Sequence, residues 1–338
     1  MGRQISLTRR TALAGGLATL AAPQVLAQTP IAMKIGMVTI NDPIHALSNR
    51  FAEEIEKRTG GRIKGQVFPA GQLGKLPRQM EGLQFGTQEV LVCPPSFLAG
   101  INPAFQVTDA PGFFRDMDHA HAVVSRPKFN EMFLDLPKSR GIQGISLGVY
   151  GPTTIATVKP AKTMAEVKGM KVRILASDLE RATVEAMGMS GVPMDFTEVL
   201  PAFQNGTLDA VRTSMVVMGG MKFYNTAKFL VKENTGMILT GIWVSQTWLN
   251  GLPADLKKVV LDTGKELAPW CTNNAKEFET NIQKAWVDAG VVVTELPPDQ
   301  KKALFDTVKP VGEKVLGANP KTADAWKALQ AAAAEVGS

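Results

Sequence analysis

No apolar run in the 338-residue sequence is long enough to cross a membrane, which takes about 20 residues. Neither phosphate-binding motif, G-x-x-x-x-G-K-[ST] or G-x-G-x-x-G, occurs, so a nucleotide site has no support. Lysine and arginine do not form runs interleaved with aromatic residues, which argues against a nucleic-acid partner. Internal repeats and low-complexity segments are also missing. These absences favour a globular protein that works without a nucleotide, a nucleic acid or a membrane span.

Histidine is scarce, with three residues in the whole sequence. Two of them form an H-x-H pair, His119 and His121, which on a strand would point to one face and could hold a metal ion. The segment from Asp118 to Ser125 has a helical pattern instead, with Asp118 as its N-cap. Residues two apart on a helix do not face each other. We therefore expect no metal site and no cofactor.

The segment at 144–148, with the sequence GISLG, matches the G-x-S-x-G nucleophile pattern. In the fold that uses this pattern, the catalytic histidine follows the serine along the chain. The last histidine here is His121, so the order that a hydrolase requires is missing. No acid/base pair is evident either, and we predict that the protein is not an enzyme.

Only two cysteines are present, Cys93 and Cys271. In an oxidising compartment they could form a disulfide. Because Cys93 lies in an apolar strand and Cys271 in a long helical segment, two buried thiols that pack as small hydrophobic residues are the favoured interpretation.

Residues 1–27 have the pattern of an export signal. Arg3, Arg9 and Arg10 give a basic start, and a short run of small apolar residues leads to an A-x-A-like cleavage site. The arginine pair favours the twin-arginine route, with the Sec route as the alternative. Removing the segment takes away three arginines and no acid, so the formal charge falls from +6 to +3. We expect the remaining chain to be soluble in the periplasm and long enough for two domains.

The chain then alternates strands and helices. The first predicted elements run strand, helix, strand, helix, strand: Met33–Thr39, His45–Thr59, Ile63–Phe68, Leu76–Phe85 and Glu89–Cys93. This alternation is typical of a parallel sheet with helices on its faces. Pro94-Pro95-Ser96 ends the third strand at a loop, where such a sheet would open to a ligand.

A second strand–helix–strand unit lies between 164 and 218. Its first strand carries Arg173 and is followed by two helices, the second with Thr197 as its N-cap. Arg212 and Thr213 come just beyond the apolar positions of the next strand. Because ligands collect at the carboxyl ends of strands in open α/β sheets, both arginines could face one crevice. The alternative is that both are solvated surface charges.

Three motifs in this unit resemble the signature block of the periplasmic solute-binding proteins of tripartite ATP-independent periplasmic (TRAP) transporters, the DctP-type family. They are E-V-K-G-M-K-V-R at 166–173, G-x-x-x-x-P-M-x-F-x-E-V at 188–199 and A-F-Q-N-G-T-L-D at 202–209. F-P-A-G-Q-L-G at 68–74, followed by Q-F-G-T at 84–87, resembles the other recurrent segment of that family. The likeness covers nearly the whole mature chain.

This resemblance implies an α/β fold of the two-lobed periplasmic binding protein type. Each lobe is expected to be a mixed sheet flanked by helices, and a long helix, predicted between 253 and 289, spans both lobes. We expect lobe I at 28–150 plus about 239–278, and lobe II at 151–238 plus about 279–331.

The resemblance also implies the function. The protein would capture a small organic acid and deliver it to the membrane subunits of a TRAP transporter, which an ion gradient drives. A periplasmic enzyme acting on an acid, and a sensor that presents its ligand to a receptor, are the alternatives.

Family positions then indicate individual site residues. The arginine of the K-[VIL]-R strand binds the ligand carboxylate in the family, and Arg173 occupies that position. Phe196 matches an aromatic residue that covers the ligand. Many relatives have a second basic residue where this chain has Thr153. Where relatives often read D-G-x-E-N, this chain ends the motif with Arg212 and Thr213, so Arg212 could meet a second acidic group.

The other predicted contacts are mostly apolar: Val38, Cys93, Pro94, Ser96 and Tyr150, together with Met215 and Met218. Val38 and Pro94 replace positions that are polar in some sugar-acid binders. We therefore expect the ligand to be a monocarboxylate with an apolar or aromatic body. A second acidic group at Arg212 would instead indicate a dicarboxylate or a keto acid.

Overall fold

The computed structural model describes Gly2 and residues 29–175 and 177–337, so the predicted export signal lies outside the described residues except for Gly2. The strands are Ile31–Gly36 (β1), Ile63–Phe68 (β2), Val90–Cys93 (β3), Ile142–Thr157 (β4), Lys171–Ile174 (β5), Ser190–Pro193 (β6), Ala210–Ser214 (β7), Phe229–Lys232 (β8), Met237–Ser245 (β9) and Val292–Glu295 (β10). The α-helices are Pro43–Arg58 (α1), Leu76–Phe85 (α2), Met117–Val124 (α3), Pro127–Asp135 (α4), Asp178–Ala186 (α5), Phe196–Gln204 (α6), Met215–Gly220 (α7), Gln246–Gly251 (α8), Ala254–Asp288 (α9), Pro298–Gly312 (α10) and Ala323–Val336 (α11). Short 3₁₀ helices lie at Pro95–Gly100, Pro103–Asp109, Lys138–Arg140 and Phe223–Asn225, and Glu313–Gly317 forms a π-helical turn.

The first sheet has the strand order β2-β1-β3-β9-β4. β1 pairs in parallel with β2 and with β3, as the alternation of strands and helices predicted. β9 enters from much later in the chain and lies antiparallel between β3 and β4. α1 begins at Pro43, two residues before the predicted start, because Asp42 caps it by accepting a hydrogen bond from the His45 N–H (2.9 Å).

The second sheet continues from the same long strand. Residues 142–152 of β4 pair with β9 in the first sheet, whereas 153–157 pair with β7 and partly with β8 in the second. β7, β5 and β6 follow in that order, and β10 pairs with β8. The protein therefore has two lobes, each built on a mixed sheet, and β4 runs through both.

Helix α9 connects the lobes on one side of the molecule. It is 35 residues long, which corresponds to about 50 Å. It contacts α1 and β4 of the first lobe and α7 and β10 of the second. Trp286 near its end is fully buried and donates a hydrogen bond from Nε1 to the Met215 carbonyl (3.3 Å), in agreement with a packing role. Among the helices that the structure describes, none is both long and apolar enough to span a membrane.

The last helices pack on different lobes. α10 lies against α5, whereas α11 lies against α3 and α4, which belong with the first sheet. Helix α11, which overlaps the end of the segment predicted for lobe II, therefore packs with the first sheet. The lobe boundaries themselves stay predictions.

The G-x-S-x-G segment lies within β4, and its glycines serve packing. A Cβ at Gly144 would come within 2.8 Å of the Trp243 ring, and one at Gly148 within 3.0 Å of the Cys271 sulfur. Both glycines allow neighbouring elements to approach a strand closely.

The H-x-H pair lies on a helix, as predicted. α3 is capped by Asp116, not by Asp118, through a hydrogen bond from the His119 N–H (2.7 Å). His121 Nδ1 lies 3.1 Å from the Thr272 hydroxyl. In the described part of the chain, no three histidine, cysteine or acidic side chains cluster as a metal site.

Candidate functional site

Strand β5 and helix α6 position Arg173 and Phe196 side by side. Arg173 lies within β5, opposite Val192 of β6, and is 1% exposed. α6 begins directly at Phe196, because Asp195 caps it by accepting a hydrogen bond from the Thr197 N–H (3.0 Å). This corrects the predicted cap at Thr197. The guanidinium carbon of Arg173 lies 5.1 Å from the centroid of the Phe196 ring, within the range of a cation–π interaction.

The guanidinium of Arg173 has most of its donors free. Its Nε donates to the Met194 carbonyl (3.2 Å), but Nη1 and Nη2 have no hydrogen-bond partner among the described residues. Burial lowers the pKa of Arg173 to about 10, an effect that Glu180 and Asp195 oppose. The group is therefore still charged at neutral pH. A buried cation with unused donors is costly unless an anion meets it.

A cavity lies at this guanidinium. Its lining comes from both lobes: Val38, Thr39, Ile44, Val92, Cys93, Pro94, Phe97, Tyr150, Arg173, Leu175, Phe196, Thr213, Val217 and Ile238. Seven of these had been predicted from the sequence: Val38, Cys93, Pro94, Tyr150, Arg173, Phe196 and Thr213. Most of the wall is apolar.

Sequence reasoning missed half of the lining. Thr39 and Ile44 lie in and just after the loop between β1 and α1, which carries no recognisable motif. The predicted contacts Met215 and Met218 do not line the cavity; Val217, between them on the same helix, does. Treating 215–220 as a helix could have indicated this residue, because side chains that are two or three positions apart on a helix do not all face the same surface.

Tyr150 contributes its ring to the wall, but its hydroxyl is used within the protein. The hydroxyl donates to Asp42 Oδ2 (2.7 Å), and both residues are buried. Burial raises the pKa of Asp42, against the lowering effect of the bonds from Tyr150 and the His45 N–H. Burial and the neighbouring Asp42 raise the pKa of Tyr150 as well.

Arg212 does not face the cavity, and the expectation that it meets the ligand is corrected. It lies inside β7, not beyond the strand, and is 1% exposed. Its Nη1 donates to both oxygens of Glu180 (2.6 and 2.7 Å), and its Nε donates to Glu233 (3.0 Å). Its Nη2 donates to the hydroxyls of Thr153 (2.9 Å) and Thr235 (3.2 Å). All five N–H groups are therefore engaged within the protein.

The same network removes Thr153 from the predicted site. Its hydroxyl accepts from Arg212 and from the Gly236 N–H (2.9 Å), so it supports the arginine and does not line the cavity. Ser96 is fully buried and also lies outside the cavity lining. Both predicted contacts are corrected for these reasons.

Residues 36–318 match the sequence pattern of a defined family, described as bacterial extracellular solute-binding protein, family 7. The chain belongs to this family. It is 30% identical over 338 residues to the C4-dicarboxylate-binding periplasmic protein DctP of Rhodobacter capsulatus, with 97% of this chain and 100% of that protein covered. It is 25% identical to the 2,3-diketo-L-gulonate-binding periplasmic protein YiaO of Escherichia coli K12, over 93% of this chain and 95% of that one.

Solved structures agree with this assignment. The crystal structure of a TRAP periplasmic solute-binding protein from Desulfovibrio salexigens with bound orotic acid is 26% identical, with a TM-score of 0.85. The match covers 90% of this chain and 99% of that one. The protein is thus a periplasmic solute-binding protein of the TRAP type, as the motifs predicted.

In this family 7 protein, neither thiol is set up as a nucleophile. Cys93 and Cys271 are both free and buried, so the interpretation as packing residues is confirmed. Burial raises the pKa of Cys93, which lines the cavity, and raises the pKa of Cys271 to about 12. Both stay as neutral thiols at neutral pH. The geometry of the cavity supports binding of an anion by Arg173 and burial of an apolar group.

Proposed function

We propose that this protein captures an organic monocarboxylate with an apolar or aromatic body and delivers it to the membrane subunits of a TRAP transporter. The observation that carries the proposal is the Arg173 guanidinium, which is buried and charged and has two nitrogens without partners at an apolar cavity.

The guanidinium suits a carboxylate because its planar fork forms two parallel charge-assisted hydrogen bonds. Each such bond contributes about 1.5–3 kcal/mol net. Micromolar binding requires about 8 kcal/mol. Arg173 can therefore orient the ligand and supply part of the affinity, and the rest has to come from apolar surface buried against residues such as Phe97, Phe196 and Val217.

The chemistry of the wall favours this ligand class over two others. A dicarboxylate would need a second cation, and Arg212 has its donors occupied by Glu180 and Glu233. A sugar acid would bring several hydroxyls against apolar side chains, where unpaired polar groups are costly. Orotic acid, bound by the Desulfovibrio salexigens protein, shares one carboxylate and a planar ring with the class proposed here, although its ring also carries two carbonyl and two N–H groups.

Calorimetry with a panel of acids tests the proposal. The panel contains benzoate and pentanoate as monocarboxylates, succinate as a dicarboxylate and D-galacturonate as a sugar acid. We expect a monocarboxylate to bind most tightly. Arg173→Met should weaken binding at least about 100-fold, whereas Arg173→Lys should retain part of the affinity because it keeps the charge and loses the fork. Tight binding of D-galacturonate alone would refute the proposed ligand class.

Two alternatives are distinguished by the fate of the ligand and by its partner. An enzyme would convert the bound acid, whereas a binding protein returns it unchanged after denaturation, as mass spectrometry of the released acid would show. A sensor would bind the same acid but pass it to a receptor. Reconstitution with TRAP membrane subunits in vesicles, with uptake measured under an ion gradient, separates transport from sensing.

A further inference from the structure

The first lobe contacts helix α5 of the second lobe outside the cavity. The 3₁₀ helix Pro103–Asp109 belongs with the first sheet, because its Phe105 ring packs edge-on against the Trp243 ring of β9, with the centroids 5.3 Å apart. Across the contact, the Leu179 N–H of α5 donates a hydrogen bond to Gln106 Oε1 (3.1 Å). Both residues are buried, and neither lines the cavity. A hinge motion that opens the cavity therefore also separates this contact and admits water to it.

The last residue of this 3₁₀ helix, Asp109, is a buried carboxyl group without a cation of its own. It is 5% exposed and lies near Glu180, a buried carboxylate on α5. Arg212 is close enough to act on Asp109, but its hydrogen bonds go to Glu180, to Glu233 and to two threonine hydroxyls. An ionised Asp109 would thus bring a third carboxylate to one guanidinium, inside a contact between lobes.

The elements around Asp109 supply no further buried charge among the described residues. Burial and Glu180 raise the pKa of Asp109, whereas Ser96 and Arg212 lower it in part. β9 and the 3₁₀ helix Pro95–Gly100 contain no charged residue. The other charged residues of α5 and α11, the remaining helices at this contact, are exposed: Asp178, Arg181, Glu185, Asp324, Lys327 and Glu335. The protonated form of Asp109 is therefore favoured while the lobes are closed.

We propose that closure of the lobes on an acid takes up one proton from solution at Asp109. This inference rests on the proposed function, in which an acid is captured between the lobes, but not on the ligand class. The acid anion and the proton together add no net charge to the closed protein.

The coupling fixes the direction of the pH dependence. Water reaches Asp109 in the open protein, so its pKa there is close to the ordinary value of about 4. The closed protein holds the proton more tightly. Binding of the acid should therefore be strongest below the pKa of the open protein and should weaken as the pH rises toward the higher pKa of the closed protein.

Calorimetry in two buffers counts the protons. The ligand is whichever of benzoate, pentanoate, succinate and D-galacturonate binds the wild type most tightly. The buffers are MES and imidazole at pH 6.5, which differ in their enthalpy of ionisation. The wild type should take up about one proton per bound acid, which appears as a difference between the binding enthalpies observed in the two buffers. Its affinity should also fall by about 10- to 100-fold between pH 6 and pH 8.

Two aspartate variants assign the proton to a residue. Asp109→Asn has a similar shape and does not titrate, so it should bind the acid without proton uptake and with an affinity that stays within about twofold between pH 6 and pH 8. Asp42→Asn is the matched control. Asp42 is also a buried aspartate with a raised pKa, but its partners, the Tyr150 hydroxyl and the His45 N–H, lie in the same lobe. This variant should take up as many protons as the wild type.

The inference is overturned if the wild type takes up no proton, if Asp109→Asn takes up as many protons as the wild type, or if Asp42→Asn loses the uptake instead. Asp109→Ala gives the same comparison if the asparagine variant does not fold. If none of the four acids binds the wild type, the proposed function fails, and that result differs from binding without proton uptake.

Discussion

Two buried arginines, Arg173 and Arg212, have opposite surroundings. Arg212 is matched by two carboxylates, and although burial disfavours its charge, Glu180 and Glu233 outweigh that effect and raise its pKa. Arg173 has one carbonyl partner and a ring beneath it. The first arrangement holds parts of the fold together, whereas the second leaves binding capacity unused inside the protein.

This contrast predicts different effects on stability. Arg212→Met leaves two buried carboxylates without their cation and should lower the free energy of unfolding by about 3–5 kcal/mol. Arg173→Met removes a cation that has few partners and should change it by less than about 1 kcal/mol. Urea unfolding of the ligand-free variants, followed by circular dichroism, measures both. Equal destabilisation by the two substitutions would contradict the assignment of their roles.

Asp109 is a buried carboxyl group near Arg212, and its protonation has a testable consequence. Burial and the nearby Glu180 raise its pKa well above the usual value, with Ser96 and Arg212 opposing the shift. The folded protein therefore keeps this proton at pH values where the unfolded chain has released it. The contribution of Asp109 to stability is complete below about pH 4, the unfolded pKa, and is lost as the pH rises toward the folded pKa.

Asp109→Asn removes this titration. The difference in the free energy of unfolding, variant minus wild type, should be more positive at pH 8 than at pH 4. The reason is that only the wild type loses stability as the pH rises above the unfolded pKa. Urea midpoints of both proteins at the two pH values measure the difference. A constant offset between the proteins at both pH values would show that Asp109 titrates alike in the folded and unfolded states.

The role of Arg173 could be predicted from the sequence, whereas that of Arg212 could not. Alternation along the chain places Arg173 on a strand, and the resemblance to the family indicates that this arginine meets the ligand. The environment of Arg212 depends on Glu180 and Glu233, which lie 32 and 21 residues away and meet it only through the tertiary fold. Thr39 and Ile44 were missed because the segment between β1 and the start of α1 carries no recognisable motif.

Helix α6 connects the site to the opposite lobe. Its cap, Asp195, accepts from the Thr197 N–H and hydroxyl through Oδ1 and from the Leu76 N–H through Oδ2 (3.4 Å). The first residue of the helix, Phe196, packs on the guanidinium of Arg173. Asp195 thus fixes the position of the ring and contacts the first lobe at the same time.

Asp195→Ala should consequently affect both folding and binding. Loss of the cap should cost about 1 kcal/mol of folding stability. Ligand affinity should fall several-fold as Phe196 loses its fixed position. Asp195→Asn keeps a capping oxygen and should retain most of both properties. Thermal melts and calorimetry on the two variants measure the effects. Unchanged ligand affinity in Asp195→Ala would show that the cap does not position Phe196 for binding.

Most elements followed from local sequence, whereas their pairing did not. β2 and α2 have the predicted bounds, because turn residues mark both ends of each. The N-caps of α3 and α6 were predicted at Asp118 and Thr197, but they lie at Asp116 and Asp195. Each segment holds several capping residues close together, so the sequence does not single out one of them. The insertion of β9 between β3 and β4 joins strands more than 80 residues apart, and no local pattern determines such a contact.

The two lobes are connected by covalent elements and by contacts that close the cavity. β4 and α9 run through both lobes and keep them together in any state. Across the opening, Lys75 of the first lobe pairs with Glu198 of α6 (2.6 Å), and both side chains are more than half exposed. Such an exposed pair contributes little and is screened by salt. Besides direct contacts such as the one between the Leu76 N–H and Asp195, we therefore expect closure to depend on contacts that the ligand makes with both lobes.

Arg173 provides the clearest test of ligand-driven closure. Its burial is favourable only when a carboxylate occupies its free nitrogens, so the ligand-free protein should open and solvate the guanidinium. Small-angle X-ray scattering should show a smaller radius of gyration when the tightest-binding acid of the panel is added to the wild type. Arg173→Met should show no change with the acid, and Lys75→Met, which removes only the exposed pair, should close as the wild type does. If the wild type has the same radius with and without ligand, the ligand does not drive closure, and the cavity fills by another route.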